Sequence, residues 1–249
     1  SPHIRSGNTT QSVMRDVVIA LLPTLVAAVV IFGVNSLILT LVCVISCVVF
    51  EYLSRIIMKK PQTISDFSAV VTGILLAFNL PVSFPWYMAV IGSFIAIVIV
   101  KQLFGGLGQN FANPALVGRM VLMFSFTSAM TKWTAPVRFV ADATATATPL
   151  ELVDAGTNLG LSDLFFGIHT GCLGETCAFT LILGGLYLIA RKVISPATPL
   201  AYIGTLAVCT YFAGGDALLS ILTGGVLLGA IFMATDYATT PVTFTGKVI

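Results

Sequence analysis

Residues 17–57 read VVIALLPTLVAAVVIFGVNSLILTLVCVISCVVFEYLSRII, and this stretch decides the fold class. Two apolar runs, Val17 to Gly33 and Leu37 to Ile57, flank the polar pair Asn35 and Ser36. Each run approaches the roughly 20 residues that a helix needs to cross about 30 Å of hydrocarbon. Inside lipid no water satisfies backbone N–H and C=O groups, so such runs must be helical. The stretch therefore predicts two membrane-spanning helices that turn at Asn35–Ser36. The first is expected to kink at Pro23, and the second is closed by Arg55, Lys59, Lys60 and Pro61.

Upstream, SPHIRSGNTTQSVMRD carries charges that lead directly into a full-length apolar span, not into a short signal-peptide core. It predicts a cytoplasmic lead-in. Downstream, a third apolar segment runs from Phe67 to Leu80. It is short, holds Gly73 and ends at Pro81 and Pro85, and a broken span is expected. A fourth, Trp86 to Lys101, begins with the interfacial aromatics Trp86 and Tyr87. The polar, glycine-rich approach FGGLGQNFANPALVGR then leads to Asn113-Pro114, a helix start, with Arg119 in the early turns of a fifth span reaching Phe126. After a long polar connection come a sixth span from Glu175 to Ala190, a seventh from Pro199 to Ala213 and an eighth from Ala217 to Met233.

Composition agrees. Hydrophobic residues make up 57% of the 249 and charged residues 9%, against about 45–50% and about 25% in soluble domains. The prediction is an all-α, polytopic membrane helix bundle, a single transmembrane domain over residues 1–249. A net charge of +2 points to neither nucleic acid nor a polybasic lipid-surface segment. With these spans, Arg5, Arg15, Arg55, Lys59, Lys60, Lys101, Arg191, Lys192 and Lys247 share one side, and Lys132 and Arg138 the other. Basic residues accumulate on the cytoplasmic face. The N-terminus is thus expected in the cytoplasm and residues 129–174 outside it. Thr72-Gly73-Ile74-Leu75-Leu76 resembles Thr223-Gly224-Gly225-Val226-Leu227-Leu228 five spans later. That odd offset predicts inverted five-helix repeats with broken helices near the midplane, and two further helices beyond Ile249.

The polar residues inside this pattern are the candidate site. The Gly105–Gly108 run, GGLG, lacks the Lys-Ser/Thr of a nucleotide-binding P-loop and predicts a tight turn at the membrane surface or a close helix approach. Arg119 in a span reads either as a functional charge or as a side chain snorkelling to the interface. Glu175 opens the sixth span, where the helix dipole favours a carboxylate. Asp236, with Thr239 and Thr240 beside Pro241, sits where a proline break frees carbonyls for an ion or cofactor. His169 reads as a surface loop histidine. Cys43, Cys47 and Cys209 read as small buried hydrophobes, while Cys172 and Cys177 offer too few ligands for a metal site and leave a disulfide open. In DATATATPL, residues 142–150, Thr144, Thr146 and Thr148 alternate with alanines ahead of Pro149. It reads as a polar loop whose accessible hydroxyls a transferase can esterify.

Five ordered segments carry a resemblance: SDFSAVVTGILLAFNLP, KQLFGGLGQNFANPALVGR, DATATATPL, GETCAFTLILGGLYLIARKVIS and MATDYATTPVT. Together they look like the D subunit of the Rnf ion-translocating ferredoxin:NAD oxidoreductase, and more distantly like the B subunit of the sodium-translocating NADH:quinone oxidoreductase. In that family an FMN is attached through its phosphate to a threonine in D-x-x-S/T-G-A-T. The resemblance implies attachment at Thr148 with Asp142 as the matching acid. Ala145 and Thr146 depart from the pattern, which keeps Thr146 as the alternative acceptor. Asn113, Arg119 and Glu175 are the further expected cofactor-binding residues. The resemblance also implies ten helices in two inverted repeats, a noncovalent riboflavin, and partner subunits carrying iron-sulfur clusters and a second covalent FMN, together with soluble subunits on the NADH and ferredoxin side, in the bacterial inner membrane. A stand-alone channel or transporter is the competing class, because broken helices and inverted repeats suit either task.

Overall fold

The computed structural model describes residues 9–134, 136, 160–167, 169–175, 177–241 and 243–248. All regular structure among them is helical. Helix α1 (Thr10–Phe32) and helix α2 (Val34–Ile57) are each long and apolar enough to cross a membrane. At 1.5 Å per residue each is about 35 Å long. α1 starts upstream of the expected boundary because Thr9 and Ser12 form a reciprocal capping box. It continues through Pro23 without interruption. The turn is not at Asn35–Ser36, which are helical. A single residue, Gly33, reverses the chain at φ 82°, a left-handed conformation that glycine adopts without steric cost.

The outer faces of both helices are apolar. Ile19, Leu22, Val26 and Val30 on α1, and Ile38, Leu41, Ile45 and Val49 on α2, are exposed at three- and four-residue spacing. Inward-facing positions include Thr24, Ser36, Thr40 and Glu51, all buried. This arrangement, apolar outside and polar inside, suits hydrocarbon as the surrounding solvent.

A short 3₁₀ turn (Ile64–Asp66) precedes α3 (Ser68–Phe78). α3 is one unbroken helix of 11 residues, about 16 Å long, against the expectation of a broken span. Gly73 serves packing instead: a Cβ there would lie 2.6 Å from the Val44 Cα, so α2 and α3 touch backbone to backbone. α4 (Trp86–Phe94) passes directly into a π-helical stretch (Ile95–Gln102), and α5 (Pro114–Ser125) follows with Asn113 as its cap. Two short helices, α6 (Thr127–Met130) and α7 (Leu161–Phe166), lie on either side of the connection. α8 (Ala178–Ala190) packs on α1, where Gly184 meets the Ala20 carbonyl.

α9 (Ala197–Phe212) precedes the eighth span, and here the break is found. That span is α10 (Ala217–Leu222), an interruption at 223–225, α11 (Val226–Leu228) and a π-helical turn (Gly229–Met233). Gly224 at φ 65° causes the interruption. Although Thr72 and Thr223 each bond the carbonyl four residues back, Gly73 is helical and Gly224 is left-handed, so the two similar segments differ in backbone. α12 (Phe244–Val248) closes the described chain.

Candidate functional site

Two polar regions lie inside the bundle. The first is a chamber of about 760 Å³, open mouth included, at the end where α1, α3 and α5 begin and where the π stretch of α4 ends. Val17, Leu75, Leu188 and Phe232 form apolar walls, and Ser68, Thr72, Lys101, Asn110, Asn113 and Asp236 supply polar groups. Each polar group is positioned locally. Asn113 Oδ1 caps α5 by accepting from the N–H groups of Ala115 and Leu116 at 3.0 and 3.4 Å. Asn110 Nδ2 donates to the Ala112 carbonyl at 2.9 Å. Asp236 follows the π-helical turn, and burial pushes its carboxyl above the ordinary range against hydrogen bonds from the Ala238 N–H and Asn110. Burial likewise raises the Tyr237 hydroxyl, which bonds the Val193 carbonyl.

Lys101 reaches this chamber because i→i+5 bonding, seen in Leu103 N–H to Val98 and Gly106 N–H to Lys101, alters the turn of the α4 terminus. The count of basic residues by side places it at the interface, yet it is 2% exposed. Its Nζ lies 2.8 Å from Glu51 Oε2 and 2.6 Å from Ser68 Oγ. Glu51 Oε1 accepts from Thr63 at 2.6 Å, and Ser68 donates onward to Asp66 at 2.5 Å.

The second region surrounds Arg119 and the break in the eighth span. Arg119 does not snorkel: Nη1 donates to Asn79 Oδ1 at 3.1 Å. Asn79, 2% exposed, ends α3 by donating to the Leu75 carbonyl at 2.6 Å and touches Met233 Sδ at 3.9 Å. It thereby links α3, α5 and the eighth span. The turn at 171–175 docks on the end of α3 through Leu173 N–H to Leu80 and Gly174 N–H to Phe78, at 3.1 and 3.0 Å. Glu175 lies in this turn and not in a helix, since α8 begins at Ala178. Its Oε1 accepts from the Cys172 N–H at 2.9 Å.

A Cβ on Gly225 would stand 3.5 Å from Glu175 Oε2 and 3.7 Å from Arg119 Nη1. The carboxylate and guanidinium therefore converge on the break, with no ion pair within 4 Å between them. Arg119, Asn113, Asn79 and Gly225 also line an open groove. Burial, and then the Glu175 charge, push the Cys172 thiol well up. Cys172 and Cys177 are buried free thiols, and no metal-ligating cluster occurs among the described residues.

Thus Asn113, Arg119 and Glu175 are brought to one groove and its rim, whereas Thr148, Thr146 and Asp142 lie outside the described residues. His169 is 8% exposed, not a surface group. Cys209 is exposed on α9, not buried. Sequence reasoning missed Asn79, Glu51, Ser68 and Asn110. The available signal for Asn79 was a lone amide between an apolar helix and Pro81, and for Glu51 a charge inside a spanning run.

The model of the family described as NQR2, RnfD, RnfE matches residues 1–249. The chain is 49% identical over 254 residues to the D subunit of the Na(+)-translocating ferredoxin:NAD(+) oxidoreductase complex of Acetobacterium woodii, covering 100% of this chain and 79% of the relative. It is 40% identical over 267 residues to the D subunit of the proton-translocating ferredoxin:NAD(+) oxidoreductase complex of Clostridium ljungdahlii, covering 100% and 81%. With the D subunit of the ion-translocating oxidoreductase complex of Rhodobacter capsulatus it shares 39% over 285 residues, covering 99% and 80%.

Proposed function

The chain belongs to the NQR2, RnfD, RnfE family, and on that premise we propose that it relays electrons through flavin inside an ion-translocating oxidoreductase complex. It is a subunit of the ferredoxin:NAD oxidoreductase type, and the similarity over its whole length carries that reading. Two flavins are assigned by proposal: an FMN esterified through its phosphate to Thr148, with Asp142 in the recognition motif, and a noncovalent riboflavin in the chamber between α1, α3 and α5.

The chamber fits the second group. Its walls are apolar and its polar groups are few and convergent, as a flat ring with a hydroxylated tail requires. Bound isoalloxazine supplies the redox chemistry, and the protein supplies position and electrostatics. Asn110, Asn113 and Thr72 would hold and orient it at the polar wall. Phe232 and Leu75 exclude water. Arg119 and Glu175 set the charge around the break in the eighth span.

Charge asymmetry supports an N-terminus in the cytoplasm of a bacterial inner-membrane protein, with the Thr148 segment outside. The ion is Na+ or H+, and the partners are the other membrane and soluble subunits of the complex. In-gel fluorescence of the denatured protein, with intact mass, tests attachment, because a covalent flavin survives detergent denaturation. Wild type and Thr146→Ala are expected to fluoresce, and Thr148→Ala to lose the signal while still inserting. Retention in Thr148→Ala with loss in Thr146→Ala moves the acceptor to Thr146; a dark wild-type band removes the covalent flavin.

A further inference from the structure

The chamber and the Arg119 region leave one group of buried polar side chains unused. Arg55 stands in the last turn of α2 at 7% exposure. Glu51 lies one turn earlier on the same helix, but Lys101 and Thr63 already occupy its two oxygens. Arg55 forms no ion pair, and its Nε is buried with no hydrogen-bond partner. Gln102, fully buried at the end of the π stretch, has neither Oε1 nor Nε2 partnered. The two side chains meet at Gly106. A Cβ there would fall 2.5 Å from Arg55 Nη2 and 4.0 Å from Gln102 Oε1.

A largely buried guanidinium that lacks an anion is costly, and buried polar groups in native proteins nearly always have partners. Here an unpaired cation and an unpaired amide meet at one glycine. The planar fork of arginine favours an oxyanion that accepts two parallel hydrogen bonds, and an amide N–H adds a third donor. The meeting point lies where the basic end of the bundle meets the apolar exterior. Ile57 and Leu103, exposed at 79% and 61%, flank it, and Lys59 and Lys60 follow α2. At such a boundary the abundant oxyanion is phosphate.

We propose that Arg55 and Gln102, closed over by Gly106, form a binding site for a phosphate oxyanion, most naturally the headgroup phosphodiester of a membrane lipid. The site is separate from the flavin positions and does not depend on them.

The test uses the assembled complex purified in mild detergent, with retained phospholipid counted by native mass spectrometry. After delipidation, melting temperature is followed on adding phosphatidylglycerol, or sodium phosphate against sodium chloride at equal ionic strength. Wild type is expected to retain a phospholipid that Arg55→Gln holds roughly a hundredfold more weakly, the worth of a charge-assisted pair of bonds. Gln102→Glu places a carboxylate beside Arg55. It is expected to lose the phospholipid too, and after delipidation to melt above wild type. A wild-type response to phosphatidylglycerol, with or without one to phosphate, assigns a lipid headgroup; a response to sodium phosphate alone assigns a free phosphate. Should Arg55→Gln fail to assemble, Gln102→Glu decides. No wild-type response to either source, or equal retention and equal response in wild type and Gln102→Glu, overturns the proposal.

Discussion

The bundle buries charge in two contrasting ways. At Glu51 and Lys101 the cluster is closed: the pair is 0% and 2% exposed, Thr63 and Ser68 add hydrogen bonds to it, and Asp66 accepts from Ser68 behind it. At Arg119 the cluster is open. One hydrogen bond to Asn79 holds the guanidinium, Glu175 approaches without pairing, and the whole faces a groove at an interrupted helix. A closed network holds helices in place, since any rearrangement strands a charge in low dielectric. An open one retains donors and field for a charge that comes and goes. On the proposed function, the closed cluster is scaffold and the open one is site.

The largest effect should come from breaking the closed cluster. Lys101→Met leaves Glu51 buried without its cation and is expected to destabilise the protein by about 3–5 kcal/mol. Thermal melts and yield of the assembled complex measure it. Adding Glu51→Gln to the same chain should recover most of the loss, and failure to recover would mean that the pair does more than balance its own charge.

At the open cluster, Arg119→Lys keeps the charge and loses the fork geometry. Assembly and flavin content should stay at wild-type levels while ferredoxin- or NAD-linked electron transfer falls roughly tenfold, the scale of one lost charge-assisted hydrogen bond. Wild-type turnover would reduce Arg119 to a packing residue and erase the distinction drawn between the clusters.

A smaller effect sharpens where rigidity ends. Asp216 caps α10 by accepting from the N–H groups of Leu218 and Leu219 at 2.9 and 3.3 Å. Asp216→Ala should cost about 1 kcal/mol. Hydrogen exchange should show the loss confined to α10, leaving the Glu51 cluster protected. Spread of the loss to α2 would show the two regions to be one cooperative unit.

The smallest expected effect is a pH slope at the chamber. The Asp236 carboxyl is raised in the folded protein, so the folded state holds its proton more firmly than the unfolded chain. Its contribution to stability is full below the ordinary aspartate value and is lost as pH rises through the raised one. Asp236→Asn should flatten melting temperature against pH across that window, and an unchanged slope would assign the dependence to another group.

The spans were legible because hydrocarbon imposes one requirement on every residue that crosses it. Uninterrupted apolar length therefore located α1, α2 and α4, and Asn113-Pro114 marked the start of α5 through capping chemistry that is local in sequence. Gly73 and shortness point to a break in the third span, whereas the break belongs to the eighth. A glycine letter does not say whether it permits a positive φ, as at Gly224, or a close helix contact, as at Gly73.

By itself, the sequence determined that this is an all-helical membrane protein, which residues are charged inside it, and that a threonine run of a particular pattern interrupts it. Only the tertiary structure decided which of those charges are neutralised. Lys101 is paired because α2 and α3 bring Glu51 and Ser68 to its ammonium, and Arg119 is left open because α3 ends at Asn79 and the eighth span gives way at Gly225. Pairing depends on distances between helices remote in sequence, and hydropathy contains no term for those distances.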